Sequence, residues 1–405
     1  MAIIPRGAAA NNIPQEIIHH IQSLLNSRNA AKTTALSKSW RLAWSTRPAL
    51  DFHDLRHPMF AAFAIKTMQR YESHKLSINS FALRMDAIDD HFLATWLVLN
   101  AIKLGATDLT LRIRRSDENS RLFALPDKIL DSETLASLIL YDCKIYLPRR
   151  GIITRSSRYS GEDRASYGSI IQQHKLKSLE LVGFGRDNIY RHDLWPKFPC
   201  LKELVIHDID SNYDWRGLRI CSPSLEVISI YMYENRITNG RFDVPNIRKF
   251  EVVGLDLPEL DEFRTSSSNR EWESDIRVAC ELLTPSWCPS LSKLLRQLSS
   301  SRISLSVHMA FPLSHDYSTA YDGDGLPTPV VEILKVYGDD PQLLPVFLKA
   351  LLRRCRPKCL TAFNEVYYQR HDATLNWYPA FECYYRRHEI DEEKRDAALL
   401  QVMDQ

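Results

Sequence analysis

Apolar residues recur with a regular spacing through the middle of the chain. Five segments carry them at alternate positions behind a leading leucine or isoleucine: ETLASLILYDCKI, HKLKSLELVGF, PCLKELVIHDI, PSLEVISIYMY and PNIRKFEVVGL. From Leu176 onward, the leading residues of successive segments lie 25, 24 and 22 positions apart. Alternation of this kind predicts short β-strands with one buried face, and its regular return predicts a repeat fold.

Strands that restart every 20–29 residues with an L-x-x-L-x-L pattern are typical of leucine-rich repeats. One unit cannot bury its own leucines, so the units must stack side by side with their strands paired. We therefore predict an α/β fold in which a curved parallel sheet forms a solenoid, with helices and loops on the convex side. The alternative is a conventional α/β sheet with crossover helices. Prolines just before three of the strands, at Pro199, Pro223 and Pro245, and the lack of clear helical runs there disfavour it.

The repeat pattern weakens toward both ends of this region. SFALRM and DLTLRI indicate earlier, degenerate units with a helix between them, and RISLSVHM and VVEILKVYG indicate later strands around predicted helices. An Arg-, Ser- and Gly-rich stretch near 148–170 predicts an insertion loop. The phasing fades after Pro258. We accordingly expect a helical module over 10–54, the repeat solenoid over 55–257, and its C-terminal extension, with a capping helix and strand region, over 258–405.

The first fifty residues show the spacing of amphipathic helices instead. The first predicted helix carries apolar residues at i, i+4, i+7 and i+8: Ile17, Ile21, Leu24 and Leu25. Ser37 is a suitable N-cap for a later short helix, on which Trp40 and Trp44 lie one turn apart. A unit of only about 40 residues rarely buries enough apolar surface to be stable alone. Part of this surface is therefore expected to close on the rest of the chain or on another protein.

These residues carry a family resemblance. The segment IPQEIIHHIQSLLNSRNAAKTTALSKSWRLAWSTRPALDF resembles an F-box, specifically that of plant F-box/leucine-rich-repeat proteins. The shared features are the hydrophobe-proline start, the Ile/Leu stripe, the Ala-Ala turn, the Leu-Ser-Lys-x-Trp-Arg-x-x-Trp run and the apolar-Asp-Phe ending. Two departures are mild: Ile13 replaces the usual leucine, and Asn26-Ser27 replaces a proline-containing turn.

The resemblance implies a function. An F-box docks onto the Skp adaptor of an SCF-type cullin–RING ubiquitin ligase, and the repeats of such a protein bind a target protein. The adaptor-binding residues implied here are Ile13, Pro14, Ile17, Ile21, Leu24, Leu25, Leu36, Trp40 and Trp44. The expected partners are the Skp-type adaptor, the cullin and RING subunits reached through it, and a protein substrate of unknown identity. The chain itself is then a non-catalytic receptor without a cofactor.

The composition and the motifs of the chain disfavour several other classes of function. The formal net charge is +2, so no global field attracts nucleic acid or acidic lipid. No apolar run is long enough to span a bilayer, and the start lacks the apolar core of a secretory signal. The 8 cysteines include no CxxC pair, and no phosphate-cradling, nucleophile-elbow or zinc-protease motif is present. We therefore expect a cytoplasmic or nuclear protein with no catalytic residues, metal, nucleic-acid or membrane partner.

Two alternative hypotheses assign the chain to other functional classes. The repeats could form a scaffold or ligand-binding protein that acts without ubiquitination. The N-terminal helices could also be a helix-turn-helix, because five basic residues occur there without an acidic one: Arg28, Lys32, Lys38, Arg41 and Arg47. Recognition of bases needs polar side chains on the second helix, whereas this one is marked by tryptophans and small residues. DNA binding is therefore the weakest of the three hypotheses.

Overall fold

A computed structural model describes residues 13–25, 27–53, 60–87, 91–115, 122–145, 175–183, 195, 198–208, 215–232, 236–266, 272–280, 287–309, 327–338 and 344–364. The chain divides into two compact units. We call them the helical unit, which holds the described residues up to Arg47 and also Asn364, and the repeat unit, Pro48–Phe363.

The helical unit contains three short helices, α1 (Gln15–Ser23), α2 (Ser27–Lys32) and α3 (Lys38–Ser45), with a 3₁₀ turn over Thr33–Ala35. The Pro14 carbonyl accepts hydrogen bonds from the first turn of α1. Ser37 caps α3 because its Oγ accepts a hydrogen bond from the Trp40 N–H, as the sequence predicts.

A 12-stranded sheet forms the frame of the repeat unit, and its strands follow one another in chain order. They are β1 (Ala49–His53), β2 (Ser80–Ala87), β3 (Asp108–Arg115), β5 (Ser137–Tyr141), β7 (Ser178–Val182), β8 (Glu203–Asp208), β11 (Val227–Met232), β14 (Lys249–Gly254), β16 (Glu273–Cys280), β17 (Arg302–Met309), β18 (Val330–Gly338) and β19 (Arg356–Asn364). Chain order is what stacked repeats require, whereas a doubly wound sheet reverses its order at a switch point.

Neighbouring strands from β1 to β18 are all parallel. The register places the repeated leucines and isoleucines opposite one another: Leu138, Leu179, Leu204 and Ile228 are successive neighbours in one row. All four are fully buried in one continuous apolar cluster. The predicted α/β fold, a helical N-terminus followed by a parallel repeat solenoid, is confirmed.

Helices and small sheets complete the repeat unit. The helices are α4 (Phe60–Ser73), α5 (His91–Lys103), α6 (Asp127–Leu130), α7 (Trp287–Gln297) and α8 (Leu344–Leu352). The short strands are β4 (Phe123–Leu125), β6 (Cys143–Ile145), β9 (Trp215–Arg216), β10 (Arg219–Cys221), β12 (Ile237–Thr238), β13 (Gly240–Asp243) and β15 (Leu260–Arg264). They pair as β4–β6, β9–β12 and β10–β13–β15. Helix α5 lies where the sequence predicts a helix.

The repeat does not stop at Pro258, where the sequence pattern fades. Strand β16 pairs with β14 and β17 in the main sheet, but its first inward residue is Ser274 rather than a leucine. Ser274 is fully buried and its Oγ lies 2.6 Å from that of Ser301, which satisfies both hydroxyls. A polar pair therefore occupies a leucine position, which hides the strand from a pattern of apolar residues. The insertion near 148–170 lies outside the described residues, and the three domain bounds remain predictions.

Candidate functional site

The helical unit has a very small apolar core. Ile18 on α1 packs with Trp40 and Ala43 on α3, and Ile13 and Ile21 cover the cluster from its edge. Ile18 and Ala43 are fully buried and Trp40 is 7% exposed. A core of three side chains is small for a unit of about 40 residues, so polar contacts must also stabilise the packing of the helices.

Those polar contacts join α1 to the rest of the unit. The Gln22 amide donates hydrogen bonds to Thr33 Oγ1 at 2.9 Å and to the Trp40 carbonyl at 3.2 Å. Gln15 Nε2 donates to Thr46 Oγ1, and His19 Nε2 lies 3.1 Å from the Ala43 carbonyl. The inward face of α1 therefore consists of Ile18 flanked by polar groups, and its Ile17 side is left for other contacts.

The sequence-predicted adaptor residues fall into three classes. Four are exposed: Pro14, Ile17, Leu24 and Leu36. Four are partly buried: Ile13, Ile21, Leu25 and Trp44. Trp40 alone is buried. The exposed fractions of Ile17, Leu24 and Leu36 are 50%, 71% and 63%, which are large values for side chains of this kind.

A further apolar side chain of α3 is exposed. Leu42 is 52% accessible and lies between the two tryptophans in the run WRLAW. It is missing from the predicted set, although its apolar character beside two anchor residues was the available signal. We refer to Ile17, Leu24, Leu36 and Leu42 as the exposed apolar set.

Trp44 has a cationic partner within the helical unit. The Arg47 guanidinium carbon lies 3.9 Å from the centroid of the Trp44 ring, which is cation–π geometry. Such a contact contributes about 0.5–1 kcal/mol at an accessible site. One residue of the basic run is therefore engaged by an aromatic ring at the end of α3.

The main sheet has a second face, opposite its leucine rows. Successive side chains of a strand point to opposite faces, so residues that alternate with the buried leucines share this second face, which we call the open face. One row of cross-strand neighbours on it, the central row, consists of Arg112, Tyr141, Val182, His207, Tyr231, Val253 and Arg277. Four of these side chains are buried, and three are partly exposed: Arg112, Tyr231 and Arg277. Arginine and tyrosine are enriched in protein interfaces, so these three are the members of the row that a partner can reach.

The rings of the central row make specific contacts. The His207 and Tyr231 rings stack, with centroids 4.6 Å apart and planes inclined by 9°. His207 Nε2 lies 3.3 Å from a carboxylate oxygen of Glu180. Burial raises the pKa of the Tyr231 hydroxyl, so it stays protonated and can donate a hydrogen bond. At the other end of the row, the Arg112 guanidinium lies 5.6 Å from the Tyr141 ring centroid.

Two carboxylates, Glu251 and Asp275, surround Arg277, which lies at the opposite end of the central row from Arg112. Glu251 is 5% exposed, lies 2.8 Å from Lys249 Nζ and 3.4 Å from Arg277, and accepts a long hydrogen bond from Ser229. Arg277 also bonds Asp275. The hydrogen bond from Arg277 to Asp275 raises the pKa of Arg277, and the charge of Glu251 acts in the same direction. The open face thus holds a fixed positive group beside its stacked rings.

The described residues do not suggest a reaction centre. Within these ranges, no group of three or more His, Cys, Asp or Glu side chains is placed to hold a metal ion. Burial raises the pKa of the thiols of Cys143 and Cys355, which keeps them protonated and weakly nucleophilic. No helix among the described segments is both long enough and apolar enough to cross a membrane.

Comparison with known proteins gives a consistent set of relatives, although no family model matches the chain. A putative F-box protein of Arabidopsis thaliana is 26% identical over 276 residues, which cover 61% of this chain and 52% of that protein. An F-box/LRR-repeat protein of the same plant is 28% identical over 259 residues, or 60% of this chain and 48% of the relative. A putative F-box/LRR-repeat protein is 29% identical over 283 residues, or 63% and 49%. The chain spans about half the length of the curated relatives it matches.

Proposed function

Since the chain is related to plant F-box and F-box/leucine-rich-repeat proteins, we propose that it is a substrate receptor of an SCF-type ubiquitin ligase. The helical unit binds the Skp-type adaptor, and through it the cullin and RING subunits. The repeat unit binds the protein to be ubiquitinated. The chain supplies no catalytic residue and no cofactor, and it acts in the cytoplasm or the nucleus.

The observation that carries the proposal is the exposed apolar set on a unit with a three-residue core. Burying one exposed leucine or isoleucine against a partner stabilises the complex by about 1.5–3 kcal/mol. In the free chain these side chains leave half or more of their surface exposed to water. An adaptor surface that covers Ile17, Leu24 and Leu36 therefore accounts for residues that the helical unit leaves accessible.

In this proposal the nine predicted residues act in two ways. Ile17, Leu24 and Leu36 contact the adaptor directly, along with Pro14 at the start of α1 and the partly buried Ile13, Ile21, Leu25 and Trp44. Trp40, which is buried, acts as a positioning residue because it fixes α3 against Ile18. Leu42 joins the contacting residues because it is an apolar side chain of the helical unit that is 52% exposed.

The mechanism is proximity. A receptor that holds its target beside the ubiquitin-loaded enzyme of the ligase raises the effective concentration of the target's lysines. The central row supports target binding because its partly exposed members, Arg112, Tyr231 and Arg277, can make cation–π contacts and hydrogen bonds with a protein surface. The chemistry of ubiquitin transfer belongs to the other subunits.

Co-purification with a Skp-type adaptor tests the proposal. We expect the wild-type chain to recover the adaptor, and the double variant Ile17→Asp/Leu24→Asp to lose it at least tenfold. Lys38→Asp is the matched control, because Lys38 is exposed in the first turn of α3, where a carboxylate is well tolerated. Helicity of the variants, measured by circular dichroism, must equal that of the wild type. A wild-type chain that fails to recover the adaptor under gentle conditions contradicts the proposal.

A scaffold that binds its partner without ubiquitination is the second candidate, because the central row would serve either function. The two differ only in the adaptor. Recovery of a target by full-length chain, with no adaptor and no increase in target ubiquitination in a reconstituted ligase, would favour the scaffold. Loss of target ubiquitination on removing the residues up to Arg47, which leaves β1 in the repeat unit, would favour the receptor.

A further inference from the structure

A cleft of about 1180 Å³ opens along one edge of the main sheet, separate from the open face. Its lining residues share one location: each lies at the first residue of a strand or within a few positions before it, from β5 to β17. Because parallel strands all begin at the same edge, the repeat brings these positions together. The cleft is thus built by the strand starts of successive repeats.

Charge is unevenly distributed in this cleft. Six cationic side chains line it: Lys175, Lys177, Lys202, Arg248, Lys249 and Arg302. Only two anionic side chains do so, Glu226 and Glu273. Because Lys249 is also paired with Glu251, which lies outside the lining, the surplus is three positive charges. The whole chain has a formal net charge of only +2, so the positive charge is concentrated here.

The two carboxylates do not neutralise the cleft. Glu226 is shared, with Lys202 Nζ at 2.7 Å and Arg248 Nε at 3.3 Å. These two cations lower the pKa of the Glu226 carboxyl, Lys202 by a hydrogen bond and Arg248 by its charge. Among the described residues, Lys177 has no ion-pair partner. All these groups are accessible to solvent, where ion pairs are weak enough for a ligand to replace.

Backbone hydrogen bonds fix the spacing of the cations. The Lys202 N–H donates to the Lys177 carbonyl, that of Glu226 to Lys202, and that of Arg248 to Glu226, at 2.7–2.8 Å. These residues therefore occupy successive rungs, about 4.8 Å apart, and the rungs of Lys177 and Arg248 are separated by roughly 14 Å. Alternate residues of an extended peptide lie about 6.6 Å apart. An acidic chain running along the cleft can thus present several carboxylates to several cations.

The apolar part of the lining favours a polypeptide over a nucleic acid. Pro199 and Pro223 lie between the charged positions, are exposed, and offer contacts to a peptide's aliphatic groups. The described lining contains no aromatic side chain on which a base could stack. We propose that this cleft binds an acidic segment of a partner protein in extended conformation.

This inference deepens the proposed receptor function, because it names the chemistry of a segment that the repeat unit would select. Its test needs no adaptor. Loss of adaptor binding would leave peptide binding in the cleft intact, and absence of peptide binding would leave the adaptor result unchanged. The two failures are therefore distinguishable.

Fluorescence anisotropy of the full chain with a labelled peptide of alternating glutamate and serine, about ten residues long, tests the inference. We expect binding at about 50 mM salt that weakens at least tenfold by about 300 mM. Lys177→Glu/Lys202→Glu is expected to weaken binding at least tenfold. Lys66→Glu/Lys128→Glu, an equal charge change on the exposed surfaces of α4 and α6, is expected to change it less than twofold.

Three results would overturn the inference. The first is no peptide binding at low salt, and the second is equal affinity of the two double variants for the peptide. The third is tighter binding of a DNA oligonucleotide of equal charge than of the peptide. If Lys177→Glu/Lys202→Glu does not fold, as judged by thermal unfolding, Lys177→Gln/Lys202→Gln replaces it, with at least a threefold loss of affinity expected and no loss contradicting the inference.

Discussion

The side-chain amide of Gln22 donates a hydrogen bond to the main-chain carbonyl of Trp40, and the two atoms lie 3.2 Å apart. This contact joins the last turn of α1 to the first turn of α3. Gln22 is 2% exposed, so the bond is shielded from water. Gln22 lies on the inward face of α1, one turn after Ile18. The helical unit therefore depends on a buried polar group as well as on its tryptophan.

Gln22→Glu should destabilise the helical unit more than Gln22→Met does. Methionine removes both donated hydrogen bonds, at about 1–2 kcal/mol, but fills the space. A buried glutamate also faces the Trp40 carbonyl with an acceptor and costs more. Hydrogen exchange of α1 and α3 amides in the full chain measures the opening free energy. Ser23→Ala, an exposed change on the same helix, should leave it within about 0.5 kcal/mol, and equal protection in all variants would contradict the role given to Gln22.

Glu251→Gln should lower the stability of the repeat unit modestly. The substitution removes the charge that Lys249 and Arg277 share, while both cations remain able to hydrate, so we expect a loss of about 1 kcal/mol. Thermal unfolding of the full chain measures it. Glu226→Gln is the matched control, since its ion pairs lie in the accessible cleft, and it should shift the Tm less. A larger shift for Glu226→Gln would show that the buried position of Glu251 does not matter.

Gly240→Ala should destabilise the repeat unit through overpacking. An added Cβ would lie 2.7 Å from Ile237 Cγ2 and 3.2 Å from both Leu260 and Phe242 side chains, all of which are buried. Overpacking of this kind costs about 1–3 kcal/mol. Gly217 provides the comparison: its φ is +73°, and no described atom lies within 4 Å of an added Cβ. Gly217→Ala should therefore cost about 1 kcal/mol, from backbone strain alone. Chemical denaturation distinguishes the two, and an equal cost would contradict the steric argument.

Much of the sheet could be predicted from the sequence because the strand of most repeats carries leucine or another apolar residue at alternate positions. Strand β16 could not, since the polar pair Ser274–Ser301 replaces the apolar contact there. The short strands β9 and β12 could not be predicted either, because a strand of two residues is too short to show an alternating pattern. Their pairing depends on the repeats being stacked already, and it is therefore a consequence of the fold.

The helical unit illustrates a different limit. Ile17 and Ile18 are adjacent, so an apolar stripe can be drawn through either one, and the spacing alone favours Ile17. Packing against Trp40 and Ala43 selects Ile18 as the inward residue, which leaves Ile17 half exposed. The sequence thus indicated which residues of α1 are apolar, whereas the division between core and surface required the position of α3.

The open face could not be predicted at all. His207, Tyr231 and Arg277 belong to strands separated by 24 and 46 positions, and their side chains become neighbours only through the register of the sheet. The acidic and basic residues of the cleft have the same origin. They are ordinary charged residues in the sequence, and the shared strand edge concentrates them.

Stability should depend on pH above 9 through Cys355, which is fully buried between α8 and β19. Burial raises the pKa of its thiol from 9.0 to about 11. Below pH 9 the thiol is protonated in the folded and unfolded chains alike, so its stabilising contribution is fully present. As the pH rises from 9 toward 11, only the unfolded chain ionises at this position, and that contribution is progressively lost.

Denaturation of wild type and Cys355→Ala across this range measures the effect. We expect the stability difference between them to change by about 2–3 kcal/mol in favour of the alanine variant. A flat profile for Cys355→Ala would mean that water reaches Cys355 in the folded chain.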